Sequence, residues 1–132
     1  MSIQILVANI LTFVAFFIHT FVGDRELRVI EPEAEMDDDH RRQGKWTMAR
    51  CGWHWISLDL LFASIGLGLI NFTDFFKDGR TLLYILAVYF FGYAAVWAFT
   101  ILISRPFPRN YLKLGQWIFL LVVGGLILWG AA

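Results

Sequence analysis

The chain has 132 residues, the length of one domain, and 58% of them are hydrophobic while only 17% are charged. A soluble domain averages about 45–50% apolar and about 25% charged residues, so this composition indicates a membrane protein. Eleven basic and eleven acidic residues give a formal net charge of +0, which argues against a nucleic-acid-binding protein, and the single cysteine, Cys51, excludes an internal disulfide.

Four long apolar runs follow one another along the chain, and each is long enough to cross a bilayer as a helix. They cover approximately residues 3–22, 51–72, 81–104 and 114–132. About 20 helical residues span a hydrocarbon core of about 30 Å. The sequence therefore predicts an all-α fold, a polytopic four-transmembrane-helix up-down bundle, as a single integral membrane domain over residues 1–132. Residues 24–49 are interpreted as a cytoplasmic connection.

The distribution of basic residues predicts the orientation of the four helices. The first and third connections together carry nine basic side chains, while the second connection carries only Lys77 and Arg80. The nine are Arg25, Arg28, Arg41, Arg42, Lys45, Arg50, Arg105, Arg109 and Lys113. Because Lys and Arg accumulate on the cytoplasmic side, both termini are predicted to lie outside the cytoplasm, in a cell (inner) membrane.

Polar residues line one stripe of each of the first two predicted helices. In the first helix this stripe contains Asn9, Thr12, Phe16, His19 and Gly23. In the second helix the matching stripe contains Arg50, His54, Ser57, Leu61, Ser64, Gly68 and Asn71. Since lipid offers no hydrogen-bond partners, we expect the two stripes to face each other or a shared interior.

Two histidines are predicted to lie at a similar depth on these facing stripes. His19 and His54 are each about 6 Å inside the cytoplasmic end of their helix, at about 1.5 Å per residue. Imidazole is the commonest metal ligand, and paired histidines of facing helices can hold haem b or a divalent metal. Cys51, Asp24 or His40 would supply a third metal ligand. The alternative is that each histidine only caps a carbonyl or bonds a neighbouring helix.

Asp59 is the only carboxylate inside a predicted span. It lies roughly 140° around the helix from His54, so the two side chains are not expected to share one site. An intramembrane carboxylate indicates a proton or ion pathway. The alternative is a structural role, with Arg50, Tyr93 or Gln116 as its partner.

Three functions remain open from the sequence, and none of them is enzymatic. The first is an accessory, assembly or oligomeric membrane component, in contact with the lipid bilayer and with further copies of itself or a larger membrane complex. The second is a metal- or haem-binding membrane protein that uses His19 and His54, with Cys51 as a further metal ligand. The third is a proton- or ion-coupled pore or transporter that uses Asp59. No catalytic motif and no nucleic-acid partner are expected.

Overall fold

The computed structural model describes residues 1–32, 39–104 and 111–132, with the side chain of Asp39 left out. Throughout this described part the secondary structure is helical, and it contains no strand. The helices are α1 (Ile3–Phe17), a π-helical turn (Ile18–Gly23), α2 (Asp24–Val29), α3 (Asp39–Phe72), α4 (Gly79–Ile103) and α5 (Gln116–Ala131). The predicted all-α class is confirmed.

Three helical stretches are long and apolar enough to cross a membrane. They are Ile3–Val29, His40–Phe72 and Gly79–Ile103, and α5 is a shorter apolar helix of 16 residues. In the most apolar 18-residue window of each long stretch, only 17%, 28% and 22% of the window is buried inside the protein. Apolar side chains therefore point outward along most of each helix, as expected for helices surrounded by lipid.

The helices begin and end at different residues from those predicted. The interpretation of residues 24–49 as a cytoplasmic connection stays a prediction, but its described parts are largely helical, because α2 continues from the π-helical turn and α3 begins at Asp39. Residues 40–50 are polar but contain good helix formers such as Gln43, Lys45 and Met48, so α3 continues beyond its apolar run. The fourth helix begins at Gln116 rather than at residue 114, after a turn over residues 111–115. Arg105 and Arg109 lie outside the described residues.

The described chain divides into two compact units. One unit contains residues Met1–Asn9 and Gly66–Ala132, and the other contains Ile10–Ile65. In the first unit α4 and α5 pack together, and its buried side chains are apolar. They include Ile5, Ala8, Leu67, Leu83, Ala87, Phe90, Ala94, Val123 and Ile127.

The second unit, Ile10–Ile65, buries polar side chains beside the apolar Leu60 and Ala63. The four buried polar or charged side chains of the described residues all belong to it, namely Thr12, Asp24, Ser57 and Ser64. Since a buried polar group is costly unless it is hydrogen-bonded, these side chains make this unit the place of the candidate functional site.

Candidate functional site

The centre of the candidate site is Asp24, the first residue of α2. Its side chain is only 9% exposed and binds two guanidinium groups. Arg50 of α3 donates from Nε to Oδ1 at 2.6 Å and from Nη2 to Oδ2 at 2.9 Å. Arg28, one helical turn away, donates from Nε to Oδ2 at 3.0 Å. The bidentate pair with Arg50 joins α2 to α3 and fixes their relative geometry.

His54 also contacts this carboxylate. Its Nε2 atom lies 3.1 Å from Asp24 Oδ1, one turn of α3 after Arg50. Its side chain is 40% exposed, compared with 29% for Arg50 and 63% for Arg28. We refer to Asp24, Arg28, Arg50 and His54 as the Asp24 cluster.

His19 makes three contacts with two residues of α3, Trp53 and Ser57. Its ring is stacked on Trp53, with centroids 4.0 Å apart and planes 7° from parallel. Its Nδ1 atom is 2.9 Å from Ser57 Oγ, and its backbone carbonyl accepts the indole N–H of Trp53 at 2.8 Å. The imidazole is therefore fixed in position and in orientation by α3.

The π-helical turn brings His19 and Asp24 to the same side of the helix. Because a π-helical turn contains one residue more than an α-helical turn, residues five apart return to the same side. In an uninterrupted α-helix these two residues would lie roughly 140° apart. The turn is what places both side chains against α3.

Gly23 allows this turn to approach α3 closely. A Cβ atom added at Gly23 would lie 2.8 Å from Cε2 of Trp53, and closer still to Cζ2. Any larger residue at position 23 would have to push the indole ring away from His19. The absence of a side chain at Gly23 is thus a requirement of the site.

A second tryptophan supports the cluster from the polar end of α3. Trp46 donates its indole N–H to the carbonyl of Leu27 at 3.0 Å, and Arg50 Cζ lies 5.3 Å from the centroid of the Trp46 ring. The cation–π contact and the indole hydrogen bond both hold α2 against the first turns of α3.

The expectation that the two polar stripes meet is confirmed where contacts are described. In one unit His19 bonds Ser57, as above. In the other unit, a Cβ added at Gly68 would lie 3.2 Å from Nδ2 of Asn9. His19 and His54 interact electrostatically. Their contacts differ, since His19 lies against Ser57 and His54 against Asp24.

The remaining predicted site residues lie in different surroundings. Cys51 is exposed, and the described residues contain no group of three or more His, Cys, Asp and Glu side chains placed to hold a metal ion. Metal ligation by His19, His54 and Cys51 stays a prediction. Asp59 is half-buried and interacts with another group of the protein, and its role in a proton or ion pathway also stays a prediction. Arg50, considered above as a partner of Asp59, pairs with Asp24.

Sequence reasoning missed the ion pair between Asp24 and Arg50. Asp24 entered only as one candidate third metal ligand, because it was interpreted as the first residue of a connection and not as part of a helix. A signal was nevertheless present in the sequence: an acidic residue ends the first apolar run, and a basic residue precedes the second. Two antiparallel helices bring these two ends together.

Comparisons with protein-family models, with curated proteins and with solved structures found no match for this chain.

Proposed function

We propose that this chain is a non-enzymatic integral membrane protein, an accessory or assembly component whose four helical segments form one membrane domain over residues 1–132. The observation that carries the membrane assignment is the outward exposure of apolar side chains along three helices long enough to span. In water such apolar surfaces would drive aggregation, whereas in lipid their exposure carries no free-energy penalty.

The fourth span is α5, which is short for this role. Its 16 residues extend about 24 Å, less than the about 30 Å of a typical hydrocarbon core. A short span is accommodated by local thinning of the bilayer or by flanking side chains. With four spans, the basic connections lie in the cytoplasm and both termini lie on the opposite side.

A non-catalytic role is supported by how the polar groups are used. The carboxylate of Asp24, the imidazoles of His19 and His54 and the indoles of Trp46 and Trp53 all bond to other parts of the same unit. Such contacts set the packing and register of helices. The outer apolar surface is then available to lipid, to further copies of the chain or to a larger membrane complex.

Membrane extraction tests this proposal. Membranes that contain the chain are washed with alkaline carbonate and then with detergent. We expect the chain to stay in the pellet after carbonate and to be released by detergent. Release by carbonate alone would contradict an integral membrane protein.

One observation favours metal or haem binding as a second candidate. His19 Nδ1 and His54 Nε2 each contact an oxygen atom, as a ring nitrogen of a metal-bound histidine usually does while the other nitrogen holds the metal. Absorption spectroscopy and elemental analysis of the purified protein test this candidate. A Soret band or bound metal that is lost in His19→Ala and in His54→Ala would support it, and a colourless, metal-free protein would exclude it.

A further inference from the structure

The Asp24 cluster contains more hydrogen-bond donors than its carboxylate can accept. Each of the two guanidinium groups carries five N–H donors. Only Nε and Nη2 of each arginine are directed at Asp24, which leaves the Nη1 groups and the second hydrogens of Nη2. Among the described residues, Arg50 also contacts the face of the Trp46 ring. This cation–π contact does not provide an oxygen acceptor for the remaining N–H groups of Arg50.

These donors lie at the boundary between the apolar and the polar parts of the helices. The apolar run of the first helix ends at residue 22, six residues before Arg28. The apolar run of α3 begins at residue 51, directly after Arg50. In the proposed membrane orientation this is the depth of the phospholipid headgroups, where arginine and tryptophan side chains accumulate.

The charges around these donors permit an anion to approach. Two guanidinium groups face the single carboxylate of Asp24, and that carboxylate is already enclosed by its partners. Glu31 also interacts electrostatically with Arg50. Arg28 is the most exposed member of the cluster and is the group that an anion would meet first.

We propose that Arg28 and Arg50 bind the phosphate group of an anionic phospholipid. The planar guanidinium donors match phosphate oxygens, and a phosphate at this depth accepts the N–H groups that Asp24 does not. The lipid then completes the hydrogen bonding at the point where α2 meets α3. This inference rests on the proposed membrane location of the chain.

Thermal unfolding of the detergent-solubilised protein with added lipid tests the proposal, because a ligand that binds the folded state raises the unfolding midpoint. The probes are phosphatidylglycerol, zwitterionic phosphatidylcholine and inorganic phosphate. We expect phosphatidylglycerol alone to raise the midpoint of the wild-type protein. An equal rise with phosphatidylcholine, or with inorganic phosphate at the same concentration, would contradict an anionic lipid site.

Two arginines of α2 provide a matched pair of variants. Arg28→Gln removes a donor of the proposed site, and Arg25→Gln removes the same charge from an exposed residue that pairs with no described carboxylate. We expect Arg28→Gln to lose most of the rise caused by phosphatidylglycerol and Arg25→Gln to keep it. Equal loss in both variants would indicate general attraction to basic residues, and full retention in both would place any lipid elsewhere.

Native mass spectrometry provides a measurement that does not depend on the stability of the variants. The wild-type protein, released from detergent with an equimolar mixture of the two lipids, is expected to retain phosphatidylglycerol in preference to phosphatidylcholine. No preference would overturn the proposal. A chain that stays in the membrane pellet after carbonate but shows no lipid preference would overturn this inference and leave the membrane assignment intact.

Discussion

At the scale of single residues, the structure leaves no room for a side chain at Gly23. Gly23→Ala places a methyl group into the Trp53 ring, so the indole must move and release the His19 carbonyl. Overpacking of this kind costs about 1–3 kcal/mol. We expect a lower unfolding midpoint in detergent. Gly52→Ala is the control, because nothing lies within 4 Å of its added Cβ, and equal effects of both substitutions would contradict the close approach at Gly23.

Asp24 and Arg50 are expected to depend on each other. Asp24→Asn leaves the guanidinium of Arg50 without its counter-charge, and Arg50→Gln leaves the carboxylate without its bidentate partner. Each single variant should lower the unfolding midpoint clearly more than Arg25→Gln does. The double variant should lose less than the sum of the two single losses. Strictly additive losses would show that the pair contributes no coupling.

The residue types of the site could be recognised from the sequence, but its centre could not. The spacing of His19 and Ser57 predicts that their helix faces meet, and the two side chains do contact each other. His54, on the same predicted stripe of α3, contacts Asp24. The position of Asp24 against α3 follows from a single π-helical turn, which rotates the residues after it and which the hydropathy pattern does not signal. The roles of Gly23 and Trp53 cannot be predicted from either residue alone. The contact between them sets how closely the two helices approach each other.

At the scale of elements, Gly124 sets the distance between α5 and α4. A Cβ at Gly124 would lie 3.0 Å from Cε1 of Phe91 and 3.3 Å from the backbone oxygen of Ala87, which cannot move aside. We expect Gly124→Ala to destabilise the protein by about 1 kcal/mol. Gly125→Ala meets open space and should be neutral or stabilising, because alanine is the better helix former. Thermal unfolding of the two variants checks this, and the reverse order would contradict the packing of α4 on α5.

The start of α4 is expected to respond to acid. Asp78 Oδ1 accepts the backbone N–H of Thr81 at 3.0 Å, and its hydrogen bonds to Thr81 lower the pKa of the Asp78 carboxyl below its usual value. A carboxyl group with a lowered pKa stabilises the folded helix end at pH values above its ordinary pKa of about 3.9. This contribution is lost as the pH falls through the lowered pKa.

Amide hydrogen exchange at Thr81 measures this cap. We expect the protection of Thr81 to fall at low pH in the wild-type protein, after correction for the intrinsic exchange rate. In Asp78→Asn the side chain still accepts a hydrogen bond but does not titrate, so its protection should not change over the same range. The same acid response in both proteins would assign it to another group.

Hydropathy located the helices but not their ends. It predicted every long helix, because an apolar run of this length has no other stable form in lipid. It could not show that α3 begins at Asp39, because the helix continues into residues that are polar and only good helix formers. Four tryptophans also make hydrogen bonds that sequence patterns do not show. Trp46, Trp53, Trp97 and Trp117 each donate an indole N–H to a backbone carbonyl.

At the scale of the whole molecule, the number of times the chain crosses the bilayer decides on which side each connection and each terminus lies. Four crossings place the first and third connections on one side, with both termini and the second connection on the other. A surface-bound α5 would leave three crossings and put the C-terminus on the side of residue 113. One unit buries polar side chains, and the long helices expose apolar ones. This arrangement fits a protein whose polar contacts order its helices and whose apolar surface contacts lipid.

Cysteine labelling of intact cells or sealed vesicles tests this topology most directly. Because Cys51 is the only cysteine, Cys51→Ser provides a background in which single cysteines are introduced by Ser2→Cys, Lys45→Cys, Lys77→Cys, Lys113→Cys and Ala132→Cys. A membrane-impermeant maleimide added from outside is predicted to label positions 2, 77 and 132 and to leave 45 and 113 unlabelled until the membrane is opened. Labelling of 113 and 132 from the same side would contradict a fourth crossing, and labelling of all five positions in sealed membranes would contradict the membrane-spanning account itself.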